Sequence, residues 1–183
     1  MNLDHLGDAL DHWKGSMIRF LRSRDSFKDL HVLPMITDPD PKRSWGKEGF
    51  GLYARLLDVS VEDILKPDIQ FLPNEQRKEY FSLDSQCDLF IDPDTGIGNE
   101  RPKKHEEGQR ENYILPSEIA SLIPNGSNRL LLIYQHSTND NMERRKTHLR
   151  NKVNAVKRFL SGTIRSRAVF ACFAGQTSSA IHK

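Results

Sequence analysis

The chain holds only two cysteines in 183 residues, Cys87 and Cys172, each inside an apolar run. So small a supply speaks against a disulfide framework or a cysteine-built zinc site and fits a reducing, cytosolic setting. No stretch of about 18 apolar residues occurs, and the opening MNLDHLGDALDHWKG lacks the apolar core of a signal peptide. Neither secretion nor membrane spanning is therefore expected. No Gly-x-Ser-x-Gly turn surrounds Ser137, so serine nucleophilic catalysis lacks its strained elbow. Gly96-Ile97-Gly98 does not follow the strand, glycine loop and helix order of a dinucleotide fingerprint. There is no internal repeat, although Asp-Pro-Asp occurs twice, each time after an apolar run.

What is present is a chain of 21.1 kDa with 37% hydrophobic residues. That is enough for one compact domain over residues 1–183, burying roughly 70% of its unfolded surface. The net charge of +2 is unevenly divided. Residues 136–167 hold nine Lys/Arg against Asp140 and Glu143, whereas residues 1–135 are net acidic. A basic stripe of this kind suits phosphate backbones, and it is also what a solvated helix face looks like.

Leu6, Leu10, Trp13, Met17, Phe20 and Leu21 recur at three- and four-residue steps, which predicts a helix over 6–22 with that face buried. LHVLPMITD predicts a buried strand ending at Asp38-Pro39-Asp40-Pro41. Residues 42–51, with Trp45 and three glycines, read as an irregular connection and candidate lid. GFGLYARLLDV, VEDILKPD and NEQRKEYFSL read as short helices, and CDLFIDPDTGIG as a second strand ending at Asp92-Pro93-Asp94. A charged loop over 96–108 and a helix opened by Pro116 with Ser117 as N-cap follow. RLLLIYQHS is the third strand, its unbroken apolar run suited to a parallel strand covered on both faces. Met142, Leu149, Val153, Val156 and Leu160 mark the buried face of a basic helix, and RAVFACFAGQTSSAIHK predicts a closing antiparallel hairpin. This order is α/β, with a mostly parallel sheet covered on both faces and an antiparallel edge.

In an open parallel sheet, ligands bind beyond the carboxyl ends of the strands. There the sequence places Asp38, Asp40, Asp92, Asp94 and His136. Three chemistries can use such an edge. A carboxylate can accept from a ribose hydroxyl or an amino group. Several carboxylates with His136 can hold Mg²⁺ or Mn²⁺ and activate water against a phosphodiester. A sheet without catalysis can bind nucleic acid or a partner protein through its basic helix.

Two segments carry a resemblance. LGDALDHWKGSMIRFL supplies Gly7, Asp8, Asp11 and Lys14, and DLFIDPDTGI supplies Asp92 and Pro93. In these the chain resembles class I S-adenosylmethionine-dependent methyltransferases, nearest to the bacterial large-subunit ribosomal RNA adenine methyltransferases. The resemblance implies a three-layer Rossmann-like fold and a nucleic acid or nucleotide as ligand. It also implies that Asp92 accepts from a substrate amine, with Asp94 and His136 beside it. Lys14, Asp38 and Asp40 would stand near the cofactor, while Arg144, Arg145, Lys146, Arg150, Lys152, Lys157 and Arg158 would contact phosphates. The chain departs from the family at Asp94 and Thr95, where the family has Pro and an aromatic. It departs again at Met35-Ile36-Thr37-Asp38-Pro39-Asp40, which replaces a glycine-rich turn and implies lost or altered cofactor use.

Overall fold

A computed structural model describes residues 5–27, 29–37, 45–67, 74–83, 87–100, 107–123, 129–135 and 141–160. Its centre is a three-stranded parallel sheet. Strand β1 (Leu30–Pro34) pairs with β2 (Asp88–Asp92), which pairs with a later strand at Leu131–Ile133. Between them in sequence, β3 (Gly96–Ile97) and β4 (Tyr113–Ile114) form a small parallel sheet of their own, which makes the Leu131–Ile133 strand β5. The class is mixed α/β, as the alternation of patterns predicts. The predicted C-terminal hairpin lies outside the described residues.

Helices cover both faces. On one side α1 (Ala9–Arg22) and α2 (Gly46–Leu57) pack together. Here Ile18, Val32, Ile36, Trp45, Tyr53, Leu57, Ile64 and Phe90 form one buried cluster. On the other side are α3 (Arg77–Tyr80), α4 (Pro116–Ser121) and α5 (Met142–Leu160). Their cluster includes Leu33, Tyr80, Phe81, Leu89, Ile91, Ile119, Val156 and Leu160. Leu89 and Ile91 thus face one layer and Phe90 the other, the period-two alternation of a strand with two apolar faces. No helix among the described residues is long and apolar enough to cross a membrane.

Several elements differ from their sequence reading. In α1 the buried stripe is Asp11, Lys14, Gly15 and Ile18, while Leu10 and Phe20 are exposed. Leu6 and Met17 of the apolar face pack half-buried against the same cluster, and neutralisation of Lys14 by two carboxylates is what admits the charged stripe beside them. Residues 42–51 were expected to be irregular, but α2 starts at Gly46 and Trp45 is buried. Gly46 opens the helix at φ +53°, where glycine is favoured, and the apolar face of Trp45, Phe50, Tyr53, Ala54 and Leu57 outweighs the cost of the two interior glycines, roughly 1 kcal/mol each relative to alanine. One of them is required by close packing, since a Cβ on Gly49 would lie 3.1 Å from Trp45 Cβ.

VEDILKPD forms only a 3-10 turn over Val61–Asp63, after which Ile64 bridges Val32 of β1 in parallel. Burial of Ile64 and the Leu65 N–H bond to the Val32 carbonyl, 2.8 Å, hold that stretch extended. The expected 96–108 loop begins with buried Gly96 and Ile97 in β3. Strand β5 is half-buried, not covered on both sides, and it is an edge of the sheet among the described residues. Leu115 rather than Ser117 precedes α4, and its N–H is capped by Glu118 Oε2 at 2.8 Å. Arg77 in turn grips Glu118 bidentately at 2.6 and 2.7 Å and donates to the Tyr113 carbonyl, tying α3 to β4 and α4. Cys87 is buried.

Candidate functional site

The chain that follows β1 enters α2 and then returns to bridge β1 in parallel at Ile64. A return of that kind runs α2 antiparallel to the strands, so α2 begins at the carboxyl edge of the sheet. The same is true of α1, whose first turns approach the end of β2. Gly7, at φ +88°, turns the chain into α1, where Asp8 caps the N–H groups of Leu10 and Asp11 at 2.8 and 3.2 Å. Asp11 reaches back with Oδ2 to accept the Gly7 N–H at 2.9 Å. Its other oxygen is thereby aimed along the helix toward Lys14, one turn on.

Lys14 Nζ lies 3.0 Å from Asp11 Oδ1 and 2.8 Å from Asp92 Oδ2. Two of the three ammonium protons are engaged by carboxylates, and the Tyr134 ring lies 4.6 Å from the nitrogen to its centroid. Asp92 closes β2, opposite Pro34 of β1, and the Tyr134 N–H bonds the preceding Ile91 carbonyl at 3.0 Å. From α2 the Tyr53 hydroxyl donates to Asp92 Oδ2 at 2.8 Å. Asp11, Lys14 and Asp92 are respectively 2%, 5% and 1% exposed, and Tyr53 is fully buried.

The electrostatics follow from that burial. Desolvation by itself would pull the Lys14 pKa down, but Asp92 and Asp11 overcome it and hold the ammonium above the usual lysine range. Lys14 is a fixed cation and no general base. Burial pushes the Tyr53 hydroxyl well above the ordinary tyrosine range, with the Asp92 charge adding to it, so Tyr53 remains a donor. Tyr134 is raised by burial and partly restrained by Lys14. The cluster therefore presents Asp92 Oδ2 doubly satisfied. Asp92 Oδ1, buried on the same carboxylate, has no hydrogen-bond partner among the described residues. A buried acceptor without a donor costs about 1–3 kcal/mol, and an N–H or O–H of a ligand would remove that cost.

The loop after Asp92 is held from β5. Gln135 accepts the Ile97 N–H at 2.8 Å and donates to the Thr95 carbonyl at 3.1 Å. Gly96, at φ +117°, is needed beneath this clamp, because a Cβ there would lie 2.5 Å from the Gln135 amide. Asp94 is half-buried on that loop. Of the residues singled out in the sequence, Lys14 and Asp92 meet directly, while Asp38, Asp40 and His136 lie outside the described residues. Tyr53, Tyr134 and Gln135 join the site without having been chosen as functional. A charged Asp-x-x-Lys pair on the stripe that also carries Gly15 and Ile18 was the available signal for a buried ion pair. Among the described residues no group of three or more His, Cys, Asp or Glu is placed to hold a metal ion.

On α5, Arg144, Lys146, Arg150, Lys157 and Arg158 are exposed and Arg145 is half-buried. Lys146 pairs with Glu143 at 2.9 Å on the surface. Lys152 belongs to the buried face, its Nζ 3.4 Å from Asn99 Oδ1 on the stretch that follows β3. From Arg144 to Leu160 the helix carries no acidic residue. Comparison with protein-family models, with curated proteins and with solved structures finds no match for this chain.

Proposed function

We propose that this is a methyltransferase-like protein with a Rossmann-like sheet that binds or acts on a nucleotide or nucleic acid. Asp92 Oδ1 accepts a hydrogen bond from an amino or hydroxyl group of the ligand. The buried, unpartnered Oδ1 at the end of the central parallel strand carries the reading. Lys14 and Tyr53 hold the other oxygen, which fixes the rotation of the carboxylate and turns its free lone pairs in one direction. The exposed basic residues of α5 supply phosphate contacts if the ligand is a polymer.

S-adenosylmethionine is the cofactor of this reading and would supply the transferred methyl group. The acceptor half of such a site is present in Asp92 and its two fixed donors. The close-approach turn is not, because residues 35–45 contain no glycine. Any adenosyl compound is then held without that turn, and Asp92 remains the group on which recognition depends.

The test is thermal unfolding of the parent and of Asp92→Asn against S-adenosylmethionine, S-adenosylhomocysteine and AMP. A ligand at 100 times its Kd adds about 2.7 kcal/mol and raises the parent midpoint by several degrees. Asp92→Asn loses most of that rise. No shift with any of the three refutes the reading. A second arm measures oligonucleotide binding against salt for Lys146→Gln/Arg150→Gln/Lys157→Gln. If all three contact phosphates of a single strand, the slope of log K against log salt falls by about 2.

A further inference from the structure

Asp92 Oδ1 is one of two complementary orphans at this edge. The other is Trp45 Nε1, a buried donor with no partner among the described residues, on a residue that is 3% exposed. One tyrosine separates them. The Trp45 ring stands edge-on to Tyr53, with centroids 5.1 Å apart at 82°, and the Tyr53 hydroxyl bonds Asp92. We infer that Trp45 Nε1 is the second polar contact of the Asp92 site. Its ligand would present an N–H or O–H to Asp92 and an oxygen or ring-nitrogen acceptor to Trp45.

This inference rests on the reading of Asp92 as a ligand acceptor, and it adds a requirement which that reading lacks. A carboxylate alone selects any donor; a carboxylate and an indole N–H together select a donor and an acceptor on one molecule. Packing does not call for the indole nitrogen, since Phe50, with its centroid 5.2 Å from Trp45, fills the same cluster with a ring that has no polar atom. Indole in place of phenyl adds an N–H that must be desolvated, and a ligand acceptor restores the lost bond.

Trp45 immediately precedes α2 and supplies no side-chain cap to it; its ring lies along the helix against Phe50 and Tyr53. At the next residue, Gly46, a Cβ would meet nothing within 4 Å, so the backbone at the start of α2 has open space at that position. The ligand class is thus a polar, flat-walled molecule with its donor toward β2 and its acceptor toward the start of α2. AMP, with an amino group beside ring nitrogens, has this pattern and serves as the probe.

The experiment uses the full chain carrying Trp13→Phe, which leaves Trp45 as the sole tryptophan and a single indole N–H resonance in the proton spectrum. Saturating AMP is expected to shift that resonance downfield. Trp45→Phe, in the parent background, is expected to weaken AMP binding about ten-fold, as loss of one hydrogen bond does. If Asp92→Asn loses AMP binding while Trp45→Phe keeps it and the indole resonance stays in place, the Trp45 inference falls and the Asp92 reading stands. If AMP does not bind the parent, the Trp45 inference falls, and the Asp92 reading falls with it only when S-adenosylmethionine and S-adenosylhomocysteine leave the parent midpoint unmoved as well. Should Trp45→Phe fail to fold, the resonance in the protein that retains Trp45 decides.

Discussion

Lys14 sits where a charge is least welcome, in the buried stripe of α1, and is kept there by what surrounds it. Transfer of an ammonium into such a place costs several kcal/mol, and only paired carboxylates with good geometry offset it. Asp11 provides one from the same helix and Asp92 the other from 78 residues away. Lys14→Met, which keeps the packing of the aliphatic stem, would leave two carboxylates facing each other without a cation. Its expected cost is about 3–5 kcal/mol, read from the urea midpoint. A loss below about 1 kcal/mol would mean that the cation is dispensable to the fold. At the same scale, Asp92 divides its two oxygens: Oδ2 is held by Lys14 and Tyr53, and Oδ1 is the atom that the proposed reading gives to a ligand.

At the scale of elements, the site depends on how closely α1 and α2 approach, because Lys14 comes from one and Tyr53 from the other. Gly15 sets that distance. A Cβ at Gly15 would overlap the Leu56 backbone carbonyl, so Gly15→Ala must push the helices apart. The expected loss is about 1–3 kcal/mol, with weakened ligand binding alongside. Gly51, in the interior of α2, has nothing within 4 Å of its would-be Cβ. Gly51→Ala should instead stabilise by roughly 0.5–1 kcal/mol through helix propensity. Opposite signs in chemical denaturation of these two variants check the packing account. If both variants stabilise, the close approach at Gly15 is not real.

At the scale of the whole molecule, three buried groups, Lys14, Tyr53 and Tyr80, share one direction. Lys14 is raised by its carboxylates against desolvation, while Tyr53 and Tyr80 are raised by burial; the Tyr80 hydroxyl bonds the Pro34 carbonyl. In each case the folded state keeps a proton that the unfolded chain releases at its ordinary pKa. Stability is therefore full below about pH 10 and falls as pH rises further, by roughly 1.4 kcal/mol per pH unit for each group that stays protonated only when folded. Urea midpoints measured from pH 8 to 11.5 should drop steeply above pH 10, and less steeply in Lys14→Met. A flat profile across that range would contradict the burial of these groups.

The alternation of patterns was enough for the α/β class, for β2 and for the span of α5, because apolar periodicity is a local property that survives without knowledge of the partner. Asp92 was legible as a strand-end carboxylate and Asp11 with Lys14 as a spaced pair. Only the tertiary structure decided which face of α1 turns inward, because the apolar row Leu10, Trp13, Met17 and the row Asp11, Lys14, Ile18 recur at the same three- and four-residue steps. The outcome depends on a carboxylate 78 residues away that neutralises the lysine. It likewise decided that Trp45 closes the core instead of riding on a lid, and that Tyr53 and Gln135 belong to the site. Their chemistry is ordinary in sequence and takes its meaning from which atoms they meet, information that lies in the parallel register of β1, β2 and β5 and not in any one segment.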